Sequence, residues 1–531
     1  MQQSKHSIPL DGWAGFRQSF RSDAISGFIV FLLAMPLSLG IAKASDFPPV
    51  MGLFTAIIGG LVVSFFAGSR LTIKGPAAGL IVIISGAVTA FGGGEQGWRL
   101  TLGAIVVAGI IQILFGVFKW GRLVDFFPLS AVHGMLAAIG IIIVLKQVPV
   151  LLDIDPQLYK GQGPFALLAG IPGFMAHLDP RATLIGVVSL AIMMGWHQAP
   201  VGPLRKIPAA LLVLLISIPA ELVMDFEHTE PSYALVHVGN LTENLRWNVD
   251  FSGIGQVGVF VKYVVMIALV GSLESLLTVK AIDMQDPYRR TSDANKDIMA
   301  VGIGNTLSAL VGGLPMISEV ARSAANISYG ARTRWANFFH GFFLMVFLLL
   351  ALPVIELIPN TALAAMLISV GIKLAHPKEF VHIFQIGKEQ LAIFLATIFF
   401  TLYEDLLVGI AAGILLKMVI HLYHGASIAS LFRSDIAVSF DNGKYLVSVG
   451  RSAVFTNYLA LKAKLEAIPA GMDVTLDLGG TRLVDHTVMD NVRQFEHHYT
   501  RAGGTFRIQG LDAHQPFSGH QLSARRKAVP A

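Results

Sequence analysis

The segment Gly312–Thr333 constrains this chain most, because it places ionisable side chains beside a break in an apolar helix. Residues 298–312 are mostly apolar, whereas Gly313 and Pro315 prevent an unbroken helix. Residues 316–329 can then start a new helix. A helix that begins inside a membrane presents unpaired N–H groups and the positive end of its dipole, which together make an anion site.

Two charged residues, Glu319 and Arg322, fall in the first turns of this new helix. A carboxylate and a guanidinium at membrane depth are costly unless they face a partner or a wet cavity, so the pattern predicts a functional site. The alternative is a purely structural ion pair, since residues at i and i+3 lie on one helix face.

Composition places the chain among polytopic α-helical membrane proteins. Apolar residues make up 54% of its 531 residues and charged residues only 14%, whereas a soluble chain carries about 25% charge. The net charge of +5 fits basic residues gathered in cytoplasmic loops better than a nucleic-acid partner, and none is predicted. There is no cysteine, so the sequence carries no information on redox compartment.

Fourteen apolar segments are predicted to span the bilayer. Two of the short ones begin beside Gly and Pro, near residues 75 and 315, and this is typical of half-helices at a midplane binding site. The predicted spans are 24–44, 51–67, 75–90, 100–118, 129–151, 182–197, 208–224, 256–281, 297–312, 315–329, 335–356, 361–375, 389–403 and 404–424.

The basic residues of the loops predict the orientation. They concentrate on the side of the N-terminus, which the positive-inside rule makes cytoplasmic. The loops on that side hold Arg70, Lys119, Arg122, Arg205, Lys206, Arg289, Arg290, Lys296, Arg332, Arg334, Lys378 and Lys388. The opposite loops hold mainly Arg99, Lys160, Arg181 and Arg246 with the acidic Asp225, Glu227, Glu230, Glu404 and Asp405. We therefore expect a multi-pass protein of the cell inner (plasma) membrane with both termini in the cytoplasm.

An internal repeat is visible in two short matches. Ser38–Asp46 (SLGIAKASD) aligns with Ser275–Asp283 (SLLTVKAID), and residues 73–78 align with residues 317–322. The matches recur in the same order. Because seven spans precede residue 250 and seven follow it, an odd number per copy makes the two halves inverted, as in many secondary transporters.

The eighth span carries Glu274 in mid-membrane and Thr278 one turn later. Residues four apart share a helix face, and hard oxygen ligands on one face suit a proton or Na⁺. The alternative is a structural Glu274 that ties this span to a neighbouring hydroxyl or backbone amide.

These motifs together resemble the SulP/SLC26 family of anion transporters. The resemblance runs from about residue 12 to 510 and rests on DAISGFIVFLLAMPLSLGIAKASDFPPVMGLFTAIIGG from Asp23, GPAAG at 75–79, GSLESLLT at 271–278 and the GGLP…GART segment. It implies 7+7 inverted repeats that form core and gate domains, a cytoplasmic STAS domain, insertion in the lipid bilayer, and a homodimer. It also implies an anion site where spans three and ten meet at their half-helix N-termini.

Carried over residue by residue, the resemblance implies two groups of site residues. The anion-binding group is Ala77, Ala78, Gly79, Val320, Ala321, Arg322 and Ser323. The cation-coupling group is Glu274, Thr278, Ser318 and Glu319. The sequence departs from the bicarbonate members at Glu319, where those members have small residues, so the coupling ion stays open between Na⁺ and H⁺; no other cofactor is expected.

The resemblance predicts secondary active transport of a small inorganic anion. Span one reads MPLSLG without the Pro-Gln pair common in sulfate members, and this favours bicarbonate. Sulfate or dicarboxylate transport, an uncoupled anion channel and a signalling membrane protein are the alternatives. The sequence has no Walker loop, HExxH or Ser/His/Asp order, so we expect no enzyme activity.

The predicted domains are a cytoplasmic N-terminal segment (1–22), a transporter domain (23–424), a linker (425–444), a STAS-like domain (445–512) and a tail (513–531). Alternating strand and helix patterns after Tyr445 indicate a small α/β domain. In regulatory STAS domains a phosphorylatable Ser follows the Asp of the loop before a helix. Here His486 replaces that Ser, while Asp485 and Thr487 are predicted helix-capping residues.

Overall fold

The computed structural model describes residues 8–121, 126–198, 207–229, 234–236, 248–288, 290–501 and 503–528. Several residues used above to predict the orientation lie outside the described residues, as do residues 1–7 of the predicted N-terminal segment. They are Arg122, Arg205, Lys206, Glu230, Arg246 and Arg289.

The chain forms two compact units. The first consists of Met1–Gly121 and Ile139–Leu374, and the second of Arg122–Ala138 and Ala375–Ala531. Among the described residues, five helices are long and apolar enough to cross a membrane, and several shorter apolar helices accompany them. The chain is therefore a polytopic helical membrane protein, as its composition predicts.

The first unit is built from helices and two short strands. Its elements are α1 (Gly12–Ala44), α2 (Val50–Phe66), β1 (Ile73–Pro76), α3 (Ala78–Ala90), α4 (Gly94–Val117), the main part of α5 (Leu129–Leu151), α6 (Pro164–Ala176), α7 (Pro180–Gly195), α8 (Ala209–Met224), α9 (Phe226–Thr229), α10 (Val257–Gln285), α11 (Ala294–Leu310), β2 (Met316–Glu319), α12 (Val320–Ser328), α13 (Trp335–Leu350), α14 (Leu352–Glu356) and α15 (Asn360–Leu374).

Most helices follow the predicted spans, but three features differ. The predicted N-terminal segment (1–22) is not separate from the first span, because α1 starts at Gly12 and no proline precedes Pro36 within it. Helix α6 and the helix Pro377–Ile386 occupy segments read as loops. Both begin with proline, which is favourable in the first helical turn, and the Gly and Pro residues inside α6 obscured its apolar pattern.

The two half-helices each follow a short strand, and the two strands pair with each other. Strand β1 leads into α3 and β2 leads into α12, and the strands pair antiparallel with Ile73 opposite Glu319 and Pro76 opposite Met316. An antiparallel pairing of equivalent segments is what two inverted copies produce. The strands begin 243 residues apart (316 minus 73), one residue less than the offset of the sequence match (317 minus 73).

The second unit combines membrane helices with an α/β domain. Its elements after α15 are α16 (Pro377–Ile386), α17 (Lys388–Tyr403), α18 (Leu406–Tyr423), α19 (Ile428–Phe432), β3 (Asp435–Asp441), β4 (Lys444–Ala453), α20 (Tyr458–Glu466), β5 (Asp473–Asp477), β6 (Thr481–Val484), α21 (His486–Arg501), β7 (Thr505–Gln509), β8 (His514–Pro516) and β9 (Arg525–Lys527).

The strands of the α/β domain form one sheet in the order β7-β5-β4-β6-β9-β8, and β3 pairs with β4. The parallel pairs β4–β5, β4–β6 and β5–β7 form its centre. The sheet therefore includes residues that the sequence assigned to the linker and to the tail. Strands β8 and β9 have three residues each, too few for an alternating pattern to reveal them.

The loop before α21 connects this domain to α18 within the second unit. Asp485 caps α21, because its Oδ1 accepts a hydrogen bond from the Val488 N–H at 2.7 Å. Its carboxylate also lies 3.2 Å from the Lys417 ammonium, and both side chains are fully buried. Thr487 is not a capping residue, contrary to the prediction, because its hydroxyl accepts a hydrogen bond from Lys417 Nζ at 2.7 Å.

Candidate functional site

The first turns of α3 and α12 converge through a side chain. Glu319 is the extended residue directly before α12, and its Oε1 accepts a hydrogen bond from the Ala78 N–H of α3 at 3.3 Å. The N–H groups of a first helical turn have no partner within their helix. A carboxylate of one repeat therefore lies on an N–H group of the other repeat, at the place where an anion is expected to bind.

A second carboxylate meets the same turn of α3. The Glu274 carboxylate lies so close to the Cα of Gly79 that a Cβ atom there would collide with both of its oxygens. Glu274 is 7% exposed, and its Oε1 makes no hydrogen bond within the described part of the chain. Two carboxylates of the predicted cation-coupling group thus meet at adjacent residues of the predicted anion-binding group, Ala78 and Gly79.

Arg322 is the buried cation of this region. It is 1% exposed, and its three guanidinium nitrogens make no hydrogen bond to any described residue. Nη1 lies where a side chain of Gly75 would begin, so the guanidinium reaches back along α12 toward β1, in the direction that helical side chains favour. The structural alternative was an ion pair between Arg322 and Glu319. In the described part of the chain, no guanidinium nitrogen of Arg322 lies within 4 Å of a Glu319 carboxylate oxygen.

The remaining predicted residues divide into two groups. Ala77 and Ala78 are buried and frame the start of α3, and Thr278 is buried one turn after Glu274. Val320 is 50% exposed and the neighbouring Ala321 is also exposed. The start of α3 is therefore buried, whereas the start of α12 is partly exposed.

Two predicted residues have their hydroxyl groups engaged elsewhere. Ser323 Oγ accepts from the Ile73 N–H at 2.8 Å and donates to the Glu319 carbonyl at 2.5 Å, so it ties α12 to β1. Ser318 Oγ donates to Asp297 at 3.0 Å and accepts from Lys74 Nζ at 2.5 Å. Of the four predicted cation ligands, the Ser318 side chain is therefore committed to another contact.

That contact is a buried ion pair that the sequence reading missed. Lys74 Nζ lies 2.7 Å and 2.8 Å from the two Asp297 oxygens, and both side chains are fully buried. The available signal was a lysine directly before the GPAAG motif, inside an apolar stretch. Its partner lies 223 residues away, so the pairing could not be read from spacing.

His340 of α13 is a second residue that sequence reasoning missed. It is fully buried, and neither ring nitrogen has a hydrogen-bond partner among the described residues. Asn337, one turn earlier on α13, accepts a hydrogen bond from the Lys74 N–H at 3.3 Å. A histidine in an aromatic helix gave no pattern that pointed to this position.

Two broken helices of an inverted repeat whose N-termini meet beside carboxylates and a buried arginine define a class: membrane transporters with a central anion site. The chain belongs to the sulfate permease family, since the model of that family matches residues 20–397. It is an anion transporter of the SulP/SLC26 kind and not an enzyme. The match ends before the C-terminal α/β domain, which is consistent with a STAS domain.

Relatives and solved structures agree with this assignment. The chain is 29% identical to YvdB of Bacillus subtilis (strain 168), described as a candidate sulfate transporter, over 76% of this chain and 73% of that protein. It is 24% identical to the bicarbonate transporter BicA of Picosynechococcus sp. (strain ATCC 27264 / PCC 7002 / PR-6), over 80% of this chain and 74% of that protein.

Among solved structures, the transmembrane domain of a cyanobacterial BicA has a TM-score of 0.65 at 22% identity, covering 75% of this chain and 98% of that one. The overall structure of SLC26A9 has a TM-score of 0.68 at 15% identity, covering 94% of this chain and 85% of that one. At these identities the likeness establishes the fold.

Proposed function

We propose that the protein takes up a small monovalent oxyanion, bicarbonate, together with Na⁺ or H⁺, at the first turns of α3 and α12. The observation that carries the proposal is the hydrogen bond from the Ala78 N–H to Glu319 Oε1. The carboxylate of Glu319 holds the N–H group that an incoming anion needs. An anion can therefore bind only when Glu319 turns away or is neutralised by a cation.

The sum of the charges at the site supports this order of binding. Two helix N-termini together contribute about one positive charge, and Arg322 contributes a full one that pH does not remove. Glu274 and Glu319 cancel that sum. A bound Na⁺ or H⁺ restores the positive balance, and the anion in turn favours the cation, because affinities of linked sites change reciprocally.

The same carboxylates favour bicarbonate over sulfate. Bicarbonate carries one negative charge and an O–H group that can donate to a carboxylate oxygen such as Glu274 Oε1, which makes no hydrogen bond among the described residues. Sulfate carries two charges and no donor at neutral pH, so it meets stronger repulsion and no compensating hydrogen bond. Sulfate is the second candidate, because YvdB is described as a candidate sulfate transporter.

The coupling ion is proposed to bind between Glu274, Thr278 and Glu319. With the Ser318 hydroxyl held by Lys74 and Asp297, Na⁺ would have fewer side-chain ligands here, whereas two adjacent carboxylates can share a proton. Glu274→Gln should abolish coupling. Glu319→Ala should shift the cation dependence toward Na⁺, because one carboxylate is no longer available to share a proton.

The deciding experiment measures uptake of radiolabelled bicarbonate, sulfate and a dicarboxylate into proteoliposomes, with and without a gradient of Na⁺ or H⁺. Bicarbonate uptake driven by one cation gradient is expected. Arg322→Ala should cost most of the anion affinity. Glu95→Gln, which removes an exposed carboxylate, is the matched control and should leave uptake unchanged.

Other outcomes separate the alternatives. Sulfate or dicarboxylate uptake exceeding that of bicarbonate would refute the substrate assignment but not the site. An anion current independent of any cation gradient would identify a channel. We further propose a homodimer in the inner membrane with both termini in the cytoplasm, and a reporter fused after Ser434 that is active only outside the cell would contradict this orientation.

A further inference from the structure

A cavity of about 630 Å³ lies in the first unit, at the end of α1 opposite the N-terminus. Three lysines and one aspartate line it, namely Lys43, Lys146, Lys160 and Asp46. Asp153 does not line the cavity, but its carboxylate interacts electrostatically with Lys43. Positive charge therefore exceeds negative charge around the cavity, a combination that concentrates anions.

The lysines are held in place by the surrounding elements. Lys146 Nζ of α5 donates to Ser85 Oγ of α3 at 2.6 Å, and it is only partly exposed. Lys160 Nζ lies 3.7 Å from Asp46 Oδ1 and is 67% exposed. One ammonium is thus positioned against α3, while another lies at the exposed margin of the cavity.

Two helices connect the cavity to the anion site described above. Ser85 lies seven residues after Ala78 on α3, which corresponds to about 10 Å along a helix. Tyr263, which also lines the cavity, lies eleven residues before Glu274 on α10, or about 16 Å. The cavity is therefore a neighbouring space along the same two helices, separate from the first turn of α3.

The equivalent end of the second repeat differs in charge and in space. Asp283, the counterpart of Asp46 in the sequence repeat, accepts hydrogen bonds from the Ser292 N–H and Oγ at 2.8 Å and 2.6 Å. The space beside it is about 10 Å³ and is lined by Arg70, Arg290, Asp283 and Asp286, so its charges balance. Lys43 has a counterpart in the second repeat, Lys280, but the larger space and the excess of positive charge around it belong to the first repeat.

We propose that this cavity is a second anion site, in which a small inorganic oxyanion is held by Lys146 and Lys43 on its way to or from the site at α3 and α12. The proposal rests on anion transport, which the family establishes, and not on which anion is carried. An ammonium fixed against α3 by Ser85 would raise the local anion concentration next to the transport site.

Lysine labelling with pyridoxal 5′-phosphate tests the site directly in the purified full-length protein. The amine attacks the aldehyde carbon, water leaves to give an imine, and borohydride then supplies a hydride to the carbon while solvent protonates the nitrogen. Mass spectrometry quantifies the product at each lysine. Sulfate or bicarbonate should slow labelling of Lys146 at least threefold and leave the exposed Lys464 of α20 unaffected.

Arg322→Ala separates the two sites. Protection of Lys146 by the anion should persist in this variant, because the proposed site does not include Arg322. Loss of protection would show that the effect is transmitted from the transport site and would overturn the proposal, as would equal labelling of Lys146 with and without anion in the unmodified protein.

Transport kinetics provide the second measurement. Lys146→Met should raise the anion concentration for half-maximal uptake about threefold to tenfold, keep the saturating rate within about twofold, and lose this difference at high ionic strength. Lys464→Met is the control and should change neither quantity. An unchanged half-maximal concentration in a monodisperse Lys146→Met protein would refute the proposal whichever anion is transported.

Discussion

The buried Lys74–Asp297 pair gives the most quantitative prediction. Lys74 Nζ contacts both Asp297 oxygens and Ser318 Oγ, and Asp297 Oδ1 also accepts from the Ser69 N–H at 3.1 Å. Lys74→Met removes the ammonium and leaves the carboxylate with only the Ser318 and Ser69 donors in a site without solvent. Breaking a buried pair in this way lowers the free energy of unfolding by about 3–5 kcal/mol.

The double variant Lys74→Met/Asp297→Asn makes the reasoning testable. It removes both charges, so its free energy of unfolding should lie within about 1 kcal/mol of the unmodified protein, because neutral replacements of a buried pair are often tolerated. Equilibrium unfolding in mixed detergent and SDS micelles, followed by circular dichroism, measures all four proteins of the cycle. Additive losses in the double variant, meaning a coupling energy near zero, would refute the reasoning.

Three further predictions concern other contacts. Gly79→Ala should reduce uptake at least tenfold without unfolding the protein, because its Cβ would collide with the Glu274 carboxylate. Gly173→Ala is the control and should not change uptake, because no atom lies within 4 Å of the added Cβ. Equal uptake by both variants would contradict the placement of Glu274. Lys417→Met should lower the free energy of unfolding of the second unit by about 3–5 kcal/mol, because it leaves the buried Asp485 carboxylate without its cation. Lys444→Met, which breaks an exposed ion pair, should lower it by less than about 1 kcal/mol. Chemical unfolding measures both. Burial, with a smaller effect of Lys417, lowers the pKa of His486 to about 4. Because the unfolded histidine titrates near 6.5, the contribution of His486 to stability should be constant above about pH 6.5 and fall as pH drops toward 4. His486→Gln should flatten this pH dependence, and an unchanged pH profile in this variant would refute the reasoning.

The class of fold and the two breaks in its apolar segments could be predicted from the sequence. Long apolar segments with few charges can only be satisfied as membrane helices, because the bilayer offers no partner to a backbone N–H or carbonyl group. Gly312 and Pro315 interrupt one such segment, and the GPAAG motif interrupts another. Local chain stereochemistry therefore indicated two half-helices, and the structure contains both, α3 and α12. The paired strands that precede them were not predicted.

Side-chain partners followed less closely from the sequence. Glu319 was predicted to face a cation or Arg322, yet its carboxylate accepts from the Ala78 N–H. Ser318 was predicted as a cation ligand, yet its hydroxyl contacts Lys74 and Asp297. Both outcomes depend on which residues of the first repeat meet the second, and no spacing within either repeat contains that information.

What the sequence by itself determined is where helices can span, where they must break, and which charges lie at membrane depth, because these depend on local stereochemistry and on the cost of burying polar groups. Tertiary structure alone decided that Lys74 finds Asp297, that Glu274 lies against Gly79, and that Lys43, Lys146 and Lys160 surround one cavity. Each of these contacts joins residues far apart in the chain, and the strength of an electrostatic contact depends on distance and burial in space, not on separation along the sequence.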